Sequence, residues 1–187
     1  MSCQFATWHD MIVIMSDAIS LFFSQHPTRR APAGTVLFLT GDTVSTVYFV
    51  RDGALALRRT TETGVEMILQ TARSGDVLAE ASAYSDTYHC DGLVLQDATY
   101  AAVARQKFRE ALKTDQALRE AWDKRLARGI QSARSKAEIR GLKTVRERLE
   151  MWFALYGPLP AKGQWHALAA EIGVSPEALY RELKRRT

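Results

Sequence analysis

The chain has 187 residues, of which 47% are hydrophobic and 25% are charged. These proportions are typical of a folded globular protein and exclude a disordered or fibrous chain. Residues 1–123 carry 11 basic and 15 acidic side chains, whereas residues 124–187 carry 14 basic and 6 acidic ones, within a formal net charge of +4. The last third is therefore strongly basic, which indicates either a polyanion-binding region or a solvated basic helix face.

No segment approaches the ~20 consecutive apolar residues of a membrane-spanning helix, so we expect no membrane contact. The first residues lack the basic and apolar regions of a secretion signal, and a cytoplasmic location is predicted. Cys3 and Cys90 are the two cysteines of the chain. Two thiols are too few for the four thiolates that an iron–sulfur cluster usually requires, so no such cluster is expected.

The first part of the chain changes from helical to strand periodicity. Apolar residues at steps of three and four predict an amphipathic helix over residues 6–24. From Ala31 to Val103, short apolar runs alternate with turns such as Gly41-Asp42 and Asp52-Gly53. Many short strands at even spacing predict an antiparallel barrel or jelly roll.

A long helix is predicted after Arg105, where glycines become rare. Its apolar residues form a narrow stripe between charged faces, which is typical of a seam between two subunits. The predicted dimer interface consists of Leu118, Trp122, Leu126, Ile130, Ala133 and Ala137. The alternative is an amphipathic helix packed on its own barrel.

A helix-turn-helix is predicted near the end of the sequence. Two apolar-periodic stretches, Trp165–Ile172 and Pro176–Leu183, flank a turn at Gly173. Ser175 is suited to the N-cap of the second helix and Pro176 to its first position. Long polar side chains on the outward face of that helix are what a major-groove reader needs, and basic residues near its end would attract phosphates. The predicted DNA-binding residues are Ser175, Pro176, Glu177, Tyr180, Arg181, Lys184, Arg185 and Arg186.

The order of these elements resembles the CRP/FNR family of bacterial transcription regulators. The resemblance is carried by the Gly-Asp turns, by Ala104-Arg-Gln-Lys-Phe-Arg109 and by Gly173-Val-Ser-Pro-Glu-Ala-Leu-Tyr-Arg181. It implies an α+β fold with an N-terminal helix and antiparallel, cyclic-nucleotide-binding-like β-roll over residues 1–104. A dimerisation helix over 105–140 and a helix-turn-helix domain over 141–187 would follow. The partners implied are double-stranded DNA, a second copy of the chain and RNA polymerase.

The recognition helix follows the family pattern in part. In the family a Glu and an Arg four residues apart read bases, and Glu177 and Arg181 match them. Pro176 stands where cyclic-AMP-binding members usually carry Arg, so a different half-site is expected. The sequence stops at Thr187, where the family adds a β-hairpin wing. We therefore expect the wing to be absent and DNA binding to be weaker or more salt-sensitive.

The effector side departs further from the family. Its phosphate cradle resembles Gly-Glu-x-Ala, followed about ten residues later by an Arg that pairs with the cyclic phosphate. Here Glu80 is retained, but Ala79 replaces the Gly, and the Arg position falls at His89 or Cys90. A buried phosphate diester would then lack a cation, so we expect no tight cyclic AMP binding and leave the effector unidentified. The predicted pocket residues are Glu80, Ser82, His89, Cys90 and Arg134.

Other function classes lack the residues that they need. His89 and Cys90 are adjacent in a predicted strand and point to opposite faces, so no metal site is predicted. A metal-dependent enzyme on this fold needs several His and carboxylate ligands, but His89 is the one histidine in residues 31–103. The Gly-x-Ser-x-Gly elbow of a serine hydrolase is also absent from the sequence. The chain is therefore not predicted to be an enzyme. The remaining alternative is a ligand-binding or protein-interaction module that no longer binds DNA specifically.

Overall fold

A computed structural model describes residues 17–62, 64 and 66–186. They form two compact units, the first ending at Leu126 and the second beginning at Ala127. The α-helices are α1 (Asp17–Ser24), α2 (Arg105–Thr114), α3 (Gln116–Gly141), α4 (Val145–Tyr156), α5 (Trp165–Ile172) and α6 (Pro176–Lys184). Helix α1 is the end of the helix predicted over residues 6–24, and residues 6–16 lie outside the described residues.

Six strands form one antiparallel sheet, which confirms the predicted β-roll. They are β1 (Thr28–Ala31), β2 (Val36–Phe38), β3 (Thr46–Thr60), β4 (Glu66–Arg73), β5 (Val77–Leu78) and β6 (Asp91–Ala104). Their order is β1-β6-β3-β4, with β2 paired to β6 and β5 paired to β3. The long strands β3 and β6 pair from Thr46 opposite Ala104 to Arg58 opposite Asp91, with register shifts near Asp52. Such irregularities bend a strand and increase its twist, which lets the sheet curl around a core.

Aromatic side chains fill the interior of the roll. The rings of Phe38 and Tyr88 stack with centroids 3.6 Å apart, and Tyr48 lies 5.7 Å from Phe38 and 6.0 Å from Tyr100. The Tyr88 hydroxyl donates to the backbone oxygen of Thr46 at 2.8 Å. Burial raises the pKa of Tyr88 to about 12, so the hydroxyl stays protonated as the donor that this buried bond requires.

A second aromatic cluster holds the helices of the first unit against the roll. Phe23 of α1 stacks on Phe49 at 4.9 Å and on Phe108 at 5.7 Å, and Phe108 meets Trp122 of α3 at 4.8 Å. Leu118 and Trp122 are fully buried in this cluster. The structure therefore corrects the predicted dimer interface at these two positions, because they belong to the core of their own unit. The first part of α3 follows the alternative, a helix packed on its own barrel.

The helices of the second unit pack around a small apolar core. Its fully buried side chains are Ile139, Leu149, Ala169, Ile172 and Leu179. Helix α4 begins with a capping box, in which the Thr144 hydroxyl accepts from Glu147 N at 3.2 Å and the Glu147 carboxylate accepts from Thr144 N at 2.9 Å. The division between the units falls within α3. No helix among the described residues is long and apolar enough to span a membrane.

Gly53 and Gly34 form a matched pair for testing the close approach of β3 to β6 at Gly53, which lies within β3 where the pairing of the two strands is irregular. Their φ angles are +78° and +86°, so left-handed strain of about 1 kcal/mol applies to alanine at either position. A Cβ on Gly53 would lie 2.0 Å from the backbone oxygen of Asp97, whereas nothing lies within 4 Å of a Cβ on Gly34. We expect Gly53→Ala to lower the free energy of unfolding by about 2 kcal/mol more than Gly34→Ala does, measured by urea denaturation. Equal losses would contradict a close approach of the two strands at Gly53.

Candidate nucleic-acid interface and effector segment

The turn between α5 and α6 is built on Gly173, whose φ of +72° lies in the left-handed region. Gly173 N donates to Ala170 O at 3.3 Å, and Val174 N donates to Ala169 O at 2.9 Å. These bonds end α5, as a left-handed glycine after a helix commonly does. Ala169 is fully buried, in agreement with the small residue that a close crossing of the two helices needs.

Two arginines hold the carboxyl end of α5. Arg140 donates through Nε to Glu171 O at 3.1 Å and through Nη2 to Ala170 O at 2.9 Å. Arg148 of α4 donates through Nη1 to Gly173 O at 2.7 Å. The last carbonyls of a helix have no partner within the helix and carry its negative dipole end, so both cations are well placed. The sequence analysis counted these arginines only as part of the basic excess. Their structural role was not predictable, because each arginine lies far along the chain from the carbonyl groups that it bonds.

Helix α6 begins as predicted. Ser175 is the N-cap, and its hydroxyl accepts from Ala178 N at 3.2 Å, while Pro176 occupies the first helical position. Hydrogen bonds from its own backbone N–H and from the Ser175 side chain hold the pKa of Glu177 below its usual range. The carboxylate of Glu177 is therefore anionic near neutral pH and available as an acceptor.

The outer face of α6 carries most of the predicted DNA-binding residues. Leu179 on the opposite face is fully buried, which fixes the helix against the core. The exposed predicted residues are Ser175, Glu177, Arg181, Lys184, Arg185 and Arg186, while Pro176 is half-buried. The helix therefore presents charged side chains to solvent at three- and four-residue spacing.

Two predicted DNA-binding residues have other contacts. Tyr180 is half-buried, with its ring 5.3 Å from that of Trp165 and 6.2 Å from that of His166. Arg186 donates to Glu182 at 3.2 Å and to Glu150 at 3.4 Å. The structure thus corrects the picture of a shared outward face at Tyr180, and it gives Arg186 a bracing role between α6 and α4.

The predicted effector segment begins at Ala79, whose φ of +55° is the one positive value outside glycine among the described residues. A short 3-10 helix, Glu80–Tyr84, follows. Gln70 of β4 donates through Nε2 to Glu80 Oε2 at 2.6 Å and accepts at Oε1 from Ala79 N at 3.1 Å. Ser82 is half-buried nearby in sequence. The Glu80 carboxylate and the Ala79 amide are therefore already bonded to Gln70, a residue that the sequence did not single out.

The position of the family's arginine in the effector segment is held by His89 and Cys90, neither of which is a permanent cation. His89 is exposed, and its backbone oxygen accepts from Arg59 at 2.9 Å. Cys90 is 8% exposed, and burial raises the pKa of its thiol, so the thiol form dominates near neutral pH. No cluster of three or more metal-ligating side chains occurs in the described part of the chain.

The residue that follows Cys90, Asp91, is acidic. The carboxylate of Asp91 accepts from the backbone N–H and the hydroxyl of Thr40, both at 2.9 Å, and these bonds lower the pKa of Asp91. Arg58 lies 3.7 Å from Asp91 and 2.8 Å from Glu66. This arginine is already paired with two carboxylates of the roll itself.

The predicted dimer-interface residues in the second part of α3 are solvent-exposed. Ile130 is 54% exposed, and Ala133 and Ala137 are exposed on the same helix, whereas Leu126 is half-buried against the core of the first unit. Arg134 is exposed and lies in the second unit, while the other four predicted pocket residues lie in the first.

Comparison with known proteins agrees with this architecture. Residues 28–115 match the family model of the cyclic nucleotide-binding domain. No curated protein matches the chain. Among solved structures, the c-di-GMP-responsive regulator CLP of Xanthomonas campestris is 21% identical over 91% of this chain and 90% of its own, with a TM-score of 0.66. FixK2 of Bradyrhizobium japonicum is 19% identical over 86% and 83%, with a TM-score of 0.66. The catabolite activator protein of Thermus thermophilus is 21% identical over 90% and 82%, with a TM-score of 0.53.

These similarities define the fold of the protein. Its β-roll matches the cyclic nucleotide-binding domain over residues 28–115, and the chain has the fold of the CRP/FNR-type regulators that its motifs resemble. The predicted resemblance and fold class are thereby confirmed.

The residues of the effector segment do not fit a cyclic nucleotide phosphate. A buried phosphate needs a cation or several hydrogen-bond donors to replace its hydration. The nearby cation, Arg59, already donates to the backbone oxygen of His89. The segment itself offers the neutral thiol of Cys90 and the carboxylate of Asp91, while Gln70 accepts the hydrogen bond of the Ala79 amide. The fold is shared with cyclic-nucleotide binders, but this local chemistry is not suited to their ligand.

We expect isothermal titration calorimetry with cyclic AMP to show no saturable heat at micromolar concentrations. The physical reason is the uncompensated desolvation of the phosphate beside Asp91. Micromolar affinity for any cyclic nucleotide would contradict this expectation.

Arg148→Met should loosen the helix-turn-helix. The change removes the donors to Ile172 O and Gly173 O at the turn and to Leu142 O, and a single hydrogen bond from a charged group contributes about 1.5 kcal/mol. We expect amide hydrogen exchange in α5 and α6 to accelerate about tenfold. Arg134→Met, at an exposed position of α3, is the control and should leave these rates unchanged. Unaltered exchange in Arg148→Met would show that the turn does not depend on this side chain.

Proposed function

We propose that the protein is a homodimeric, sequence-specific DNA-binding transcription regulator whose β-roll senses an effector other than a cyclic nucleotide. The observation that carries the proposal is helix α6. It is capped at Ser175, anchored by the buried Leu179 and charged on its exposed face. Sequence reading by a helix requires a fixed backbone with long polar side chains on the free side, and α6 meets both conditions.

Two residues of α6 are suited to direct contacts with bases. The Arg181 guanidinium can donate two bonds to O6 and N7 of guanine, and the Glu177 carboxylate can accept from N4 of cytosine. Both side chains are exposed one helical turn apart. Glu177 is held in its ionised form by the N-terminal end of the helix, which favours its acceptor role. Lys184 and Arg185 supply attraction to phosphates that does not depend on sequence.

Dimerisation is proposed through the second part of α3. Ile130, Ala133 and Ala137 form an exposed apolar stripe beside the exposed charges of Arg134 and Glu138. Small residues allow two helices to approach closely, and an exposed isoleucine gains free energy when a second copy covers it. A symmetric pair of chains would present two copies of α6 to two half-sites. An effector would act by favouring one arrangement of the paired helices.

Selection from a pool of random duplexes tests the proposal. We expect retained sequences to contain an inverted repeat whose arms are centred about 10 base pairs apart. Arg181→Gln should relax the preference at one position of each arm by about 1–3 kcal/mol, because a bidentate base contact is lost. Lys124→Gln, which removes one exposed charge from the first unit, is the control and should keep the full preference. Recovery of random sequence by the unaltered protein would instead support a protein-interaction module.

A further inference from the structure

A cleft of about 660 Å³ lies between the first turn of α4 and the last turns of α6. All of its lining residues belong to the second unit. They include Thr144, Arg146, Glu150, Arg181, Glu182 and Arg185, and Arg186 also borders it. Four arginines and two glutamates therefore surround one concave space, and the sequence analysis assigned no function to its α4 side.

Both carboxylates of the cleft are already paired. Glu182, whose side chain is 12% exposed, binds Arg186 at 3.2 Å. Glu150 binds Arg146 at 3.0 Å and Arg186 at 3.4 Å. Because these pairs neutralise the acidic side chains, the cleft retains a net positive charge from its other arginines.

The remaining cations point to an anionic ligand. Arg185 is exposed and makes no ion pair with any described residue. The Arg146 Nε donates a hydrogen bond to Glu150. The side chain is 73% exposed, so its terminal amino groups are still accessible to a ligand. Arg181 borders the cleft and also lies on the face of α6 that we assign to base reading. An anion in the cleft therefore lies beside a side chain directed at the same duplex.

The walls of the cleft are braced. Arg186 donates hydrogen bonds to Glu182 of α6 and to Glu150 and the backbone oxygen of Arg146 in α4. Its guanidinium also lies 5.8 Å from the ring centroid of Phe153. This side chain links the end of α6 to α4. A site held open in this way loses little conformational freedom when it binds a ligand.

We propose that this cleft seats a backbone phosphate of the duplex that α6 reads, with Arg185 and Arg146 as its cations and Arg186 as the brace. The inference rests on the proposed function and deepens it. It adds Arg146 of α4 to Arg185 as a phosphate ligand and makes Arg186 a structural residue, whereas the sequence analysis assigned both Arg185 and Arg186 to phosphates and Arg181 to base reading.

The test measures duplex affinity by fluorescence anisotropy between about 50 and 200 mM chloride. Each lost phosphate contact should reduce the slope of log affinity against log salt by about one, which corresponds to about a 3.5-fold smaller change in affinity over this range. We expect this loss for Arg185→Gln and for Arg146→Gln, with no change in the sequence preferred. Arg146→Lys should retain the slope because the cation is kept. Lys124→Gln is the matched charge control, and circular dichroism melts check that each variant is folded.

Two further measurements decide which phosphate is bound. A duplex with neutral methylphosphonates flanking each half-site should bind the unaltered protein and Arg185→Gln with the same salt slope. If Arg185→Gln still lowers the slope on that duplex, the cleft does not receive a flanking phosphate. Inorganic phosphate at equal ionic strength should weaken duplex binding by the unaltered protein more than by Arg185→Gln, because the two anions compete for the cleft, and equal weakening of both proteins would overturn the assignment.

The failure of this inference differs from the failure of the proposed function. Unchanged slopes in Arg185→Gln and Arg146→Gln, together with relaxed sequence preference in Arg181→Gln, would reject the phosphate cleft and leave the regulator intact. Absence of any sequence preference in the unaltered protein would reject the regulator itself.

Discussion

The orientation of the candidate recognition helix depends on the carbonyl groups at the end of α5. These groups cannot be bonded within the helix, and they lie where the chain must reverse through Gly173. Arg140 and Arg148 bond them from two other helices. The direction in which α6 leaves the turn is consequently fixed by side chains of α3 and α4 as well as by the local backbone.

This arrangement changes the interpretation of the basic charge. The excess in residues 124–187 suggests a polyanion-binding surface when it is read from the sequence. The structure uses Arg140 and Arg148 to bond backbone oxygens, and it pairs Arg186 with carboxylates. The charge available to a nucleic acid is therefore smaller than the formal charge and is concentrated in the last two turns of α6 and the start of α4.

Local signals in the sequence predicted local structure well. The β-roll followed from regularly spaced turn residues, and the start of α6 followed from the Ser175-Pro176 pair, because turns and caps are decided by a few neighbouring residues. Long-range partners were not predictable in this way. An apolar stripe shows that Trp122 is covered but does not show whether its own roll or a second subunit covers it. Tyr180 lies at the border of the polar face, where the position of Trp165 decides its direction.

The same limit applies to the effector segment. The replacement of a glycine by Ala79 and the lack of an arginine near residue 90 were visible in the sequence, and they indicated a poor phosphate site. The role of Gln70 could not be predicted, because the sequence does not show which group a polar side chain of a strand will bond. Its amide bonds Glu80 and Ala79 together, so the segment is satisfied by the chain itself.

The contact between the effector segment and α3 has a practical consequence. The indole N–H of Trp122 donates to the Tyr84 hydroxyl at 2.7 Å, and the Arg109 guanidinium lies 5.5 Å from the centre of the Tyr84 ring. Trp122 is fully buried and is the one tryptophan described in the first unit. Once Trp8, Trp152 and Trp165 are replaced, the near-ultraviolet emission of Trp122 reports displacement of the segment without an attached dye.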